Sequence, residues 1–281
     1  MKKTALILSI FLLIAGFCSC EGGEIFSGSV AITYKVEDGS ATVVKVPDKS
    51  ALTEIVIPDE YEGCPVTAIA DFAAVNLEYV TKITIGKNVS DIALWAFENS
   101  SNITAFEVDD ENPYFCDVDG VLFTKDMKTL LFYPLAKGIT EEKNEKGETI
   151  KTASYTIPEG VEVIRTKAFY KCTSLRHIVL PSSVTSIEEK AFFRCPIDEL
   201  ILPEGLTFIG KDAFAYCEAL KETVIPESVT EIGEYAFYNC RGLLDIKMEG
   251  EEEKMTLGNK WYPTDNGLEI AELSIVWANN K

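Results

Sequence analysis

IPEGVEVIRTKAFYKCTSLRHIV (157–179), LPSSVTSIEEKAFFRCPIDELI (180–201), LPEGLTFIGKDAFAYCEALKETV (202–224) and IPESVTEIGEYAFYNCRGLLDI (225–246) are four copies of one unit. Three markers keep their register through all four. Pro158, Pro181, Pro203 and Pro226 are separated by 23, 22 and 23 residues. Phe169, Phe192, Phe214 and Phe237 keep the same steps, as do Cys172, Cys195, Cys217 and Cys240. A fixed period of this length is the sequence signature of a solenoid, in which no unit buries its apolar face without its neighbours.

Each unit reads as a strand, a proline, a second extended piece and a compact turn. Leu175 to Leu180 alternates apolar and polar residues towards its end, as a half-buried strand does. Pro181 then ends the ladder, because proline has no N–H to donate. Val184 to Ile187 is the second extended piece. The run from Glu189 to Cys195 has helical spacing, with Ala191, Phe192 and Cys195 on one side. Stacked copies place equivalent strands about 4.8 Å apart in a parallel sheet.

Worn copies precede the clear ones. Leu52 to Pro58 with Val66, Ile69 and Phe72 makes one, and Val80 to Gly86 with Val89, Ile92 and Ala96-Phe97 makes another. The succession I-x-I-P, I, A-F, C and L resembles the BspA-like leucine-rich repeat family of bacterial surface proteins, over about residues 30 to 246. Asn112 to Phe115, Asp119 to Phe123 and Leu130 to Pro134 resemble its hairpin-bearing variant repeat. The resemblance implies an α/β solenoid: a right-handed leucine-rich repeat coil, with a parallel sheet on one face and short helical turns elsewhere. It also implies a non-enzymatic binding or adhesion protein of the cell envelope. A structural scaffold in an envelope complex is the alternative.

The rest of the chain is assigned around that frame. Lys2 and Lys3, the apolar run Ala5 to Phe17 and Ser19 form a signal peptide over 1–19. Cys20 after a small residue resembles a lipoprotein signal and is the candidate lipidation site, against a plain secretory peptide with an incidental cysteine. Residues 20–29 are the tether, and Glu21-Gly-Gly-Glu24 resembles a surface-export signal. Residues 30–51, alternating around Asp38-Gly39, form an N-terminal capping hairpin. Repeats occupy 52–247, with the variant hairpin repeat at 103–136 and an exposed polar loop at 137–153. Residues 248–281 cap the other end. The expected location is the outer membrane, as a lipoprotein at the cell surface, with the periplasmic face as the alternative.

Composition limits the partners. The net charge of −19 repels nucleic-acid phosphates and anionic lipid head groups. Membrane contact is therefore expected only through the N-terminal lipid. A protein ligand is favoured, with a glycan as a second possibility. No cofactor signature, P-loop or G-x-S-x-G elbow occurs, and one histidine with no CxxC pair beyond the leader speaks against zinc. Six cysteines in an exported chain allow a disulfide framework. Four of them share one repeat position, and a ladder of buried thiols explains that register with no bond, which is the favoured reading.

Specificity is sought on the outward face of the strands. If Ile178 and Leu180 face the core, His177 and Val179 face out, since side chains alternate. Two columns follow. One runs Glu54, Lys82, Ala105, His177, Glu199, Glu222, Asp245, and the other Val56, Thr84, Glu107, Val179, Ile201, Val224, Lys247. The candidate partner-binding residues are His177, Val179, Glu199, Ile201, Glu222 and Val224. Val179, Ile201 and Val224 form an exposed apolar stripe there, or are present because β-branched residues suit strands.

Overall fold

The computed structural model describes residues 24–27, 30–48, 52–144, 146–265, 268–269 and 273–278. The expected signal peptide and Cys20 lie outside these residues. Part of the expected tether is strand: Glu24–Ser27 pairs antiparallel with Val30–Glu37. The hairpin around Asp38-Gly39 joins Val30–Glu37 to Ser40–Lys45, and both turn residues have positive φ. Ser40–Lys45 then pairs in parallel with Cys64–Ile69, which carries the cap into the first coil.

Each coil contributes to two parallel ladders. Strands that are longer in all coils but one form the broad face: Glu54–Ile57, Lys82–Ile85 and Ala105–Val108, then Thr149–Thr156, Leu175–Val179, the two-residue Leu200–Ile201, Glu222–Ile225, Asp245–Met248 and Ser274–Trp277. Two-residue strands form the second ladder through Val163–Ile164, Ser186–Ile187, Phe208–Ile209, Glu231–Ile232 and Thr256–Leu257. Ile164, Ile187, Ile209 and Ile232 are fully buried along it.

The expected helical turns are absent. Among the described residues the only helix is the 3₁₀ turn Glu252–Lys254. Two residues per coil instead adopt left-handed backbone. Lys167, Lys190, Asp212 and Tyr235 have φ of 63°, 56°, 54° and 59°, and Lys171, Arg194, Tyr216 and Asn239 have φ of 60°, 61°, 63° and 58°. Such a residue costs about 1–2 kcal/mol and stops a right-handed helix. The compensation is a bond between coils. Lys167, Phe169 and Lys171 donate their N–H to the carbonyls of Glu189, Ala191 and Phe193, at 3.0, 2.8 and 2.8 Å. The intervening N–H groups close tight turns, as Ala168 does to Arg165 at 3.0 Å. Helical spacing put the apolar residues on the correct side. The hydrogen bonds, however, run along the solenoid axis rather than within the turn.

This geometry also reassigns the worn first copy. Ala74 donates to Ala96 as Phe169 does to Ala191, so Ala74 holds the core slot. Phe72 sits two positions earlier, 55 % exposed, stacked on Trp95.

Inside, the phenylalanines form a stack. Centroids lie 4.8 Å apart from Phe169 to Phe192, 5.3 Å to Phe214 and 5.2 Å to Phe237. Trp261 closes the end of that stack. The cysteines run beside it as free thiols. Cys195, Cys217 and Cys240 donate to the carbonyls of Phe169, Phe192 and Phe214 at 3.1, 3.2 and 3.0 Å. Each thiol thereby fastens one coil to the one before.

The variant repeat divides the core in two. Strand Val121–Thr124 is buried on both faces. Val121 and Phe123 pack into the C-terminal cluster, while Leu122 packs into the N-terminal one. The polar stretch expected as a loop is a hairpin, Thr140–Lys143 against Thr149–Thr156. It projects into solvent, so Thr140–Lys143 is exposed throughout and carries no apolar alternation for a sequence reading to detect.

Candidate functional site

The broad face is built by alternation. In Leu175–Val179, Leu175 and Ile178 turn inwards while His177 and Val179 turn out. Parallel pairing carries that register across the sheet. His177 bridges to Glu199, Ile201 lies beside Val224, and Val224 lies beside Lys247. All six candidate residues, His177, Val179, Glu199, Ile201, Glu222 and Val224, are exposed and contiguous. Val179 is 56 % exposed, Ile201 72 % and Val224 42 %.

The structure lengthens both columns. Ser154 and Thr156 pair with His177 and Val179, and Ser274 and Val276 pair with Asp245 and Lys247. Val276 is 52 % exposed and extends the apolar stripe past Lys247. The columns drawn from the sequence pass from Ala105 and Glu107 directly to His177 and Val179 and so omit Ser154 and Thr156. The signal was present: Tyr155-Thr156-Ile157-Pro158 has the same alternation before proline as Ile178-Val179-Leu180-Pro181.

The two halves of the face differ electrostatically. On the N-terminal half, Lys82 bridges Glu54 at 3.2 Å and Glu107 at 3.4 Å, and the Thr84 hydroxyl donates to Glu107 at 3.2 Å. On the C-terminal half, no cation among the described residues pairs with Glu199, Glu222 or Asp245. Arg176 is taken by Asp198 at 2.7 Å, and Lys247 by Glu249 at 2.9 Å. Three carboxylates thus stand on adjacent strands about 4.8 Å apart. Like charges directly opposite each other destabilise a sheet. The row and the apolar stripe beside it are both surfaces that the isolated chain leaves uncompensated.

Among the described residues, no cluster of three or more His, Cys, Asp or Glu side chains has the geometry to hold a metal ion. No helix among them is long and apolar enough to cross a membrane.

A family model described as a BspA type leucine rich repeat region matches residues 48–117 and 147–261, in six copies. No curated protein matches the chain. Several solved structures are similar to it. One is a leucine rich cell surface protein from Faecalibacterium prausnitzii, 22 % identical, covering 92 % of this chain and 77 % of that one with a TM-score of 0.45. Another is a leucine-rich repeat protein from Eubacterium ventriosum, 17 % identical, covering 88 % and 95 % with a TM-score of 0.48. A third is a leucine-rich repeat protein from Bacteroides ovatus, 21 % identical, covering 94 % and 71 % with a TM-score of 0.43.

Proposed function

Because the chain belongs to the BspA type leucine-rich repeat family, we propose that it is a non-enzymatic recognition protein that binds a protein partner on the C-terminal half of its broad sheet. The observation that carries this reading is the juxtaposition of an exposed apolar stripe with an unpaired row of carboxylates. Val179, Ile201 and Val224 present area whose burial is worth about 25 cal/mol per Å². Glu199, Glu222 and Asp245 select a partner whose own apolar strip is flanked by Lys or Arg, since opposed charges steer encounter and fix register. The N-terminal half satisfies its charges internally and serves as support.

The Lys2-to-Cys20 segment supports display from a lipid anchor at Cys20, with the solenoid held at the cell surface. Protease treatment of intact cells tests that placement: the solenoid is degraded if it is outside and protected if it is periplasmic. A photoreactive amino acid at position 201 tests the face, with one at position 84 as control. Cross-links from 201 and none from 84 are expected on intact cells. Equal yields at both positions, or cross-links only at 84, contradict the assignment.

A further inference from the structure

On the turn side, where the inserted hairpin interrupts the stack, the coil at 94–103 and the coil at 167–173 enclose a cavity of about 310 Å³. The coil-to-coil bonding shows why it is there. In an uninterrupted step the N–H groups of Phe169 and Lys171 reach carbonyls of the next coil at 2.8 Å. The equivalent groups here are those of Phe97 and Asn99, and among the described residues neither has an acceptor. Trp95 N–H turns back to Asp71 Oδ1 at 3.0 Å. From the hairpin, Tyr133 N–H supplies one rung, to Ala168 O at 2.9 Å. The remaining rungs are open.

The second observation is Lys167, which lines the cavity and is only 8 % exposed. Its ammonium lies over the Trp95 ring and has no carboxylate or carbonyl partner among the described residues. Burial lowers its pKa below the ordinary lysine value and nearby Lys190 adds to that, against the opposing pull of Glu98, Glu189 and Asp71. The other two charges of the cavity neutralise each other, because Lys171 bridges Glu98 at 2.9 Å and also donates to Asn99 Oδ1 at 3.1 Å. One positive charge is left over. The walls are apolar, with Leu94, Ile103, Phe106, Phe132 and Leu135 among them.

We propose that this cavity binds a small monocarboxylate with an apolar body, the carboxylate meeting Lys167 and the body lying against Phe106, Phe132 and Leu135. An apolar enclosure with a few convergent polar groups is the usual form of a small-molecule site. A neutral hydrocarbon leaves the buried ammonium without a direct anionic partner, which is costly. A dianion brings one charge too many into an apolar setting.

Titration calorimetry with hexanoate and with phenylacetate tests this on the full chain, with hexanamide as the uncharged control. Saturable binding of both carboxylates is expected, with the amide at least tenfold weaker. Lys167→Met keeps the apolar stem, so it should lose at least tenfold in carboxylate affinity at unchanged Tm. Leu135→Trp, at another lining position, fills the cavity and should abolish binding with Lys167 intact. Absence of carboxylate binding, equal affinity for amide and acid, or binding retained in Leu135→Trp each overturns the proposal.

Discussion

Ile201 stands 72 % exposed in a parallel sheet, flanked by Val179 and Val224 and edged by Glu199 and Glu222. Its side chain contributes almost nothing to the isolated fold. Ile201→Asp should therefore change stability by no more than about 0.5 kcal/mol, as surface substitutions usually do, which a urea titration checks. Glu222→Gln should go the other way. Removing the middle charge of the Glu199–Glu222–Asp245 row relieves repulsion across the ladder and should stabilise the chain by about 0.2–1 kcal/mol. That gain should shrink as salt screens the row. A loss of stability would mean that Glu222 has a partner supporting the fold. These positions were legible in the sequence because strand side chains alternate and a proline sets the phase. Their unpaired charge was not, since strand alternation does not say that Arg176 turns to Asp198 of the next coil and Lys247 to Glu249 two residues along its own.

At the scale of the element, the coil is a compromise between left-handed residues and bonds between coils. Gly233 marks one of the close approaches between turns. A Cβ there would fall 2.6 Å from the carbonyl carbon of Gly210. Gly233→Ala should accordingly lower Tm, whereas an exposed helical glycine would gain from the same change. Phe192 lies between Phe169 and Phe214 with no exposed surface. Phe192→Ala should cost about 3–5 kcal/mol, measured by chemical denaturation. In the native protein Cys172, Cys195, Cys217 and Cys240 should resist iodoacetamide, while half-buried Cys64 and Cys116 react. Modification of all six at equal rates would contradict the thiol ladder. The A-F-x-x-C spacing revealed which residues face inwards. It did not reveal the turn, because nothing in Lys167 or Lys171 as residue types announces positive φ; only stacking against the next coil selects it.

Taken as a whole molecule, the solenoid is two apolar cores joined by strands that both share, Val121–Thr124 and Thr129–Phe132. Its acidity, repeats and capping hairpin were readable from the sequence. The partition was not, since Val121, Leu122 and Phe123 read as one apolar run and only the fold sends them to opposite sides. Burial of thiols and phenols gives the molecule a defined alkaline limit. Burial pushes the Cys172 thiol up to about 12 and, with Tyr61 nearby, the Tyr34 phenol to about 12. Cys195 and Cys217 move in the same direction. These groups favour the neutral form when folded, so their stabilisation is complete below the unfolded thiol pKa. It is lost as pH rises from about 9 towards 12, by up to about 1.4 kcal/mol per pH unit for each thiol. Denaturation midpoints across that range should fall steeply, and a flat profile would contradict the buried ladder.

The central claim concerns the broad face, and one affinity comparison tests it most directly. The partner cross-linked from position 201 is purified, and its Kd is measured for the wild-type chain and for Ile201→Asp at matched Tm. The account predicts at least a tenfold loss of affinity, about 1.4 kcal/mol. An unchanged Kd would contradict it.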